Sequence, residues 1–249
     1  MAKETDIGDM EKDVKMESPQ QHVFNVNGAS FNMNFVEGGT FEMGSKDKQA
    51  YDDEKPVHTV TLDGFFIGEL LVTQGLWKAV MGECVFFKGD DMPVWDSWES
   101  CQDFIGTLNR LTKEGFRLPT EAEWEFAARG GVKSKGYVYA GSNDYDEVMW
   151  CYENDKNVSQ THPVKTKKPN ELGLYDMSGL VNEWCLDWYG KYSSGKQTNP
   201  KGAVKGDEKV QRGGCWRHSA RCARVSARSS SFPHEWGAGG AGFRLVLPI

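Results

Sequence analysis

Past residue 131 the chain holds no segment with a sustained helical period. Aromatic clusters recur instead, as in "GYVYAG", "VMWCYEN", "GLYDMSGLVNEWCLDWYG", "VQRGGCW" and "GFRLVL", each cut short by Gly, Asn, Pro or Asp. A helix that buries one face needs apolar residues at intervals of three and four over several turns. Runs this short serve as strands or as turns of ordered loop, so this part of the chain is expected to form short strands and long loops.

Helical signals are confined to the first half. Thr73 can cap a short helix carrying Leu76, Trp77, Val80 and Met81, stopped by Gly82. In the next, Trp98, Cys101, Phe104, Ile105, Leu108 and Leu111 recur at helical spacing, with Asp96 and Glu99 placed for a capping box. In "RLPTEAEWEFAARGG", Thr120 and Glu123 form a reciprocal cap, and Glu121 suits the helix dipole. Trp124, Ala127 and Ala128 make its buried stripe, and Gly130-Gly131 end it. Upstream, "FNMNFVEGGTFEMGS" alternates about Gly38-Gly39 and predicts a hairpin. Val57, Val60, Leu62, Phe65 and Phe66 predict a strand after an acidic loop.

The 249 residues, 39% hydrophobic with nine Trp, imply a packed globular chain. With no repeat and no shift in composition, residues 22–249 are expected to form one α+β domain. Residues 1–21 are charged and polar, unlike a secretory signal, and predict a disordered leader or the remnant left where a targeting segment was removed. No apolar run is long enough to cross a membrane. A net charge of −7 argues against nucleic acid as a partner. One segment departs from that balance: Arg212, Arg217, Arg221, Arg224 and Arg228 follow one another with no Asp or Glu between them. Arg is the preferred partner of a buried acid, so these are expected to pair with carboxylates inside the fold.

Chemistry-bearing patterns are weak. The six cysteines lack Cys-x-x-Cys spacing and give no disulfide framework, and the five His do not reach metal-ligand spacing. Cys215, His218 and Cys222 lie close enough for a thiol and base, but packing or surface positions are the expected roles. "WCYENDKN" and "DMSGLVNEW" offer oxygen ligands without EF-hand spacing, so calcium is the one cofactor the pattern allows and none is required. There is no phosphate-cradling Gly loop and no Ser nucleophile elbow.

Six motifs in order carry a resemblance: "FVEGGTFEMGS", "EKPVHTVTLDGFFIGELLVT", "FRLPTEAEWEFAARGG", "THPVKTKKPNELGLYDMSGLVNEWCLDWY", "RGGCW" and "GFRLVLP". Over roughly residues 31–249 the chain resembles the sulfatase-modifying-factor family, that of the formylglycine-generating enzyme. The resemblance implies an α+β C-type-lectin-like fold with a mixed, mostly antiparallel sheet, two main helices and much ordered loop. It also implies neighbouring termini, with "FRLVLP" as a closing central strand. The family's oxidases use two cysteines separated by four residues, whereas Cys215 and Cys222 are separated by six, so no catalytic residues carry over. The family's calcium segment reads Gly-Asn-Val-Trp-Glu-Trp, and here Leu180 replaces the Asn ligand.

The stretch "SSSFPHEWGAGGAGF" before the last motif is similar to the C-terminal text of proteins mutated by diversity-generating retroelements. Their template codons AAC and AAT can become codons for fifteen residue types by adenine replacement, but not for Trp, Glu, Lys, Gln or Met. At the matching places stand Arg217, His218, Cys222, Ala227, Ser229, Ser230, Ser231, His234, Ala238, Gly239, Gly240 and Ala241, all of reachable type. Trp216, Phe232 and Trp236 would add apolar contact area beside them, giving a variable region over 216–241. This reading implies a ligand-binding protein and not a catalyst, with an unknown protein or surface ligand as partner. It implies cell-surface display as a lipoprotein, through an anchor absent from this chain. The alternative is a formylglycine-generating oxidase acting on a sulfatase cysteine.

Overall fold

The first pair of strands turns on Asn27-Gly28, both at positive φ (47° and 87°), the two-residue turn whose twist matches the strands it joins. It connects β1 (Gln21–Val26) to β2 (Ala29–Val36), paired antiparallel from Gln21–Asn34 to Val26–Ala29. The computed structural model describes residues 21–84, 88–155, 161–236 and 240–249. The expected leader falls outside them except for Gln21, which is already strand.

The hairpin expected about Gly38-Gly39 does not form. The strand that follows, β3 (Gly39–Met43), pairs with β4 (His58–Leu62), while β2 pairs with β5 (Phe65–Gly68). The single strand expected through Phe66 is likewise two, with β4 and β5 parting at Asp63-Gly64 into different sheets. Alternation assigns each residue to a face but leaves the partner strand open.

The first sheet, β1-β2-β5-β11, ends with β11 (Val246–Pro248) beside β5. Both terminal strands share this sheet, but at opposite edges, so "FRLVLP" is not central. A lone bridge between Arg117 and Val246 covers its outer side. A second sheet runs β10-β6-β8-β9, built from β6 (Asn182–Trp188), β8 (Lys209–Arg212), β9 (Arg228–Ser231) and β10 (Ala241–Gly242). A third adds short β7 (Gln197–Thr198) in parallel to β4.

α1 (Gln74–Met81) is capped by Thr73 and stops at Gly82, as expected. α2 (Trp98–Thr112) is capped by Ser97 instead of an Asp96–Glu99 box. Ser97 Oγ accepts from Ser100 N at 3.1 Å while Asp96 Oδ1 accepts from Ser97 N at 2.7 Å. Leu111 of its predicted stripe is exposed. α3 (Glu121–Ala128) carries the Thr120–Glu123 box, but all its residues are buried, not one stripe. Its three glutamates enter the interior because Arg228, Arg117 and Arg212 meet Glu121, Glu123 and Glu125 there. Past residue 131 the only described α-helix is the single turn α4 (Tyr145–Val148). Trp77, Phe104, Leu108, Trp184 and Phe243 fill the core against α1 and α2, and Trp124, Phe126, Val60 and Val210 fill the one around α3.

Candidate ligand-binding surface

Four buried arginines pin the C-terminal segment to the rest of the chain. Arg228 Nε and Nη2 reach Glu121 at 2.6 and 2.8 Å. Arg244 Nε and Nη2 reach Glu183 at 2.7 and 2.8 Å. Arg224 Nη1 donates to Glu54 at 2.9 Å, with a second bond from Nη2. Arg212 pairs with Glu125 and also donates to the carbonyls of Val225, Ser226 and Ala227. Burial raises the carboxyls of Glu54 and Glu125. The facing guanidiniums, Arg224 for the first and Arg129 and Arg212 for the second, bring both below their ordinary value. Of the arginine series, Arg212, Arg224 and Arg228 pair as expected. Arg217 and Arg221 do not: they are exposed and lie over the rings of Trp216 (4.4 Å) and Tyr51 (4.1 Å).

Between these anchors the candidate residues divide. Arg217, Phe232, His234 and Trp236 are exposed, and His218, Cys222, Ser229, Ser230 and Gly240 are half-buried. Phe232 and His234 stack at 5.8 Å, and Trp236 meets Trp95 edge-on at 5.8 Å. Ser230 Oγ donates to Glu208 at 2.5 Å and Ser229 Oγ to the Gln211 carbonyl at 3.3 Å. Four others are buried and present little surface: Trp216 (5% exposed), Ala227 (2%), Ser231 (8%) and Ala241 (0%). The cause is backbone pairing. Trp216 N donates to Leu180 O, Ala227 O takes the Arg212 guanidinium, and Ser231 and Ala241 sit in β9 and β10. Ala238 and Gly239 lie outside the described residues.

The exposed groups fall in two stretches of chain, 217–221 and 232–236, each tied to the entry of β6. One is held by Trp216 N on Leu180 O, the other by Ala241 opposite Asn182. Sequence reasoning missed the residues that complete them: exposed Tyr152 beside His218, whose carbonyl accepts from Tyr152 N at 3.0 Å, and Trp95 beneath Trp236. Both come from distant segments whose aromatic runs were the only signal.

In the thiol–base cluster the shifts of Cys215 and His218 oppose activation. Burial pushes the Cys215 thiol up and the His218 imidazole down, opposite to what an activated pair needs. The "GLVNEW" segment does not fit calcium. Both Glu183 oxygens are taken by Arg244, and one also accepts from Trp124 Nε1 at 2.9 Å. In "WCYENDKN", Glu153 accepts from Ala220 N at 2.9 Å, and its residues 156 and 157 lie outside the described set.

The sulfatase-modifying factor enzyme 1-like domain matches residues 20–249, and the chain belongs to that family, with its α+β C-type-lectin-like fold. It is 34% identical to the chaperone protein LppX of Paenibacillus barcinonensis, over 83% of this chain and 84% of that one. It is 30% identical to the formylglycine-generating enzyme of Streptomyces coelicolor, over 84% and 87%. Among solved structures it superposes on Treponema denticola variable protein 1 with a TM-score of 0.83 and 29% identity, over 93% of this chain and all of that one.

Proposed function

We propose that the chain is a ligand-binding protein of the retroelement-diversified kind, displaying interchangeable side chains at the cell surface on a rigid frame. One observation carries this reading: buried, paired arginines alternate along the same segment with exposed or half-buried positions of exchangeable type, Ala227, Ser231 and Ala241 being the buried ones of that type. Arg212, Arg224, Arg228 and Arg244 are paired with carboxylates inside, while Arg217, His218, Ser229, Ser230 and His234 face outward or stand half-buried among them. A segment built this way can change its surface without changing its fold, as a paratope does. The likeness to a variable protein supports the same reading.

Exchanging Arg217, His218, Ser229 and His234 together for other residues of the reachable set is expected to move the melting temperature by no more than about 2 °C. A loss of cooperative melting would show that these residues belong to the frame. At the gene level, a near-copy of the 3′ end beside a reverse transcriptase, differing only at adenines, is expected. The oxidase alternative is disfavoured by the burial of Cys215, which pushes its thiol up. Incubation with a cysteine-containing sulfatase peptide, copper and oxygen is expected to leave the peptide mass unchanged, and formylglycine formation would reverse this conclusion.

A further inference from the structure

A cavity of about 150 Å³, room for roughly five water-sized groups, opens between the start of α3, the end of β6 and the loop that carries Gly190 to Ala203. Of the C-terminal segment only Arg228 reaches it. Two acids line it. Glu121 is matched by Arg228, and Tyr192 OH adds a hydrogen bond at 3.2 Å. Asp187 is only 3% exposed and has no ion pair among the described residues. Its Oδ2 accepts from Glu121 N at 2.9 Å, whereas no donor among the described residues reaches Oδ1.

Gly202 lies over that oxygen. A Cβ there would stand 2.5 Å from Oδ1, and the residue sits at φ +70°, so only glycine fits this close to the carboxyl. Gly202 is itself exposed, so one bare backbone stands between Asp187 and solvent. Lys209, on the neighbouring strand, is committed elsewhere. Lys209 Nζ donates to Leu186 O at 2.9 Å between the rings of Trp188 (3.7 Å) and Trp98 (4.2 Å). His58 Nδ1 donates to Pro56 O at 3.0 Å, and Lys191 is exposed at the mouth. A buried carboxyl without a cation is costly to ionise. Burial, followed by the charge of Glu121, raises Asp187 to about 7, with Glu123 adding to the rise and Lys209 opposing it.

We propose that this cavity is a second binding site, which takes a primary ammonium group on a slender aliphatic stem and pairs it with Asp187 Oδ1. The Tyr192 and Trp188 rings line the stem, but each already faces a cation of the protein, Arg228 or Lys209, so the carboxyl carries the recognition. The ammonium can belong to a free alkylamine or to a lysine side chain.

Melting the intact chain at pH 8 with butylamine, with Nα-acetyl-lysinamide and with butanol separates these. Butylamine well above its dissociation constant is expected to raise the melting temperature by about 5 °C, and butanol to leave it unchanged. A matching shift with Nα-acetyl-lysinamide assigns the site to lysine side chains, and its absence assigns it to free amines. Asp187→Asn keeps the acceptor for Glu121 N and is expected to lose the shift. The wild-type shift should also shrink from pH 8 to pH 5, as Asp187 takes up its proton. Equal shifts with butanol, a pH-independent shift, or a shift retained in Asp187→Asn would each overturn the assignment.

Discussion

Glu183→Ala is expected to destabilise the chain by about 3–5 kcal/mol and to lower its melting temperature by about 10 °C or more. Arg244 is fully buried, and its guanidinium also donates to Gly68 O at 2.9 Å and Tyr175 O at 3.0 Å. It therefore ties β5, β6 and the loop at Tyr175 together. Without Glu183 the arginine charge stays in the interior with carbonyl partners only, and Trp124 Nε1 loses its acceptor. Two orphaned buried groups cost far more than one surface contact. The exposed pair of Lys55 and Asp52, 3.1 Å apart, is the control, and Asp52→Ala is expected to change stability by less than about 0.5 kcal/mol. A partial rescue by Glu183→Leu combined with Arg244→Met would locate the loss in the unpaired charge. Urea titration of the three variants measures it, and a cost below about 1 kcal/mol for Glu183→Ala would mean that the interior admits water at Arg244.

Trp236→Ala is expected to weaken binding of a ligand selected against the intact chain by about 30-fold or more, with little change in melting temperature. Trp236 is 50% exposed, so the unbound protein gains only part of its burial energy from the ring. A partner that covers it would bury the remainder, and Trp95 holds the ring from one edge. His234→Ala, at the exposed stack with Phe232, should act in the same direction more weakly. Calorimetry on ligand binding paired with a melting scan distinguishes the outcomes. A melting temperature that falls in parallel with affinity would make Trp236 a packing residue of the frame.

Local signals read well where the chain needed only its neighbours. Thr73 and the Thr120–Glu123 box stand where side-chain chemistry places them, because a cap closes within three residues. Ser97 was passed over for Asp96, one residue away, since both are good caps and the choice depends on where the chain enters the helix. The Asn27-Gly28 dipeptide is itself a two-residue turn signal, and it sets the pairing of β1 with β2. Partner choice at Gly38-Gly39 was not legible, because two extended segments of equal pattern can pair with each other or with strands elsewhere.

The candidate surface divides the same way. Residue types over 216–241 nominate candidate positions, but burial separates Trp216, Ala227, Ser231 and Ala241 from the exposed ones. No side-chain property distinguishes Ala227 from an outward alanine. Its place follows from Arg212 crossing to Glu125, a contact spanning two distant segments. By itself the sequence determined the family, the Thr73 and Thr120–Glu123 caps, the six-residue spacing of Cys215 and Cys222 and the pairing of Arg212, Arg224 and Arg228 with buried acids. Each of these is a matter of residue type and spacing. Only the tertiary structure decided which glutamate each arginine meets, which candidate positions reach solvent, and that Asp187 lines a cavity with no ion pair among the described residues. Those depend on side chains brought together from far apart in the chain, and the energy of a buried charge is set by what surrounds it.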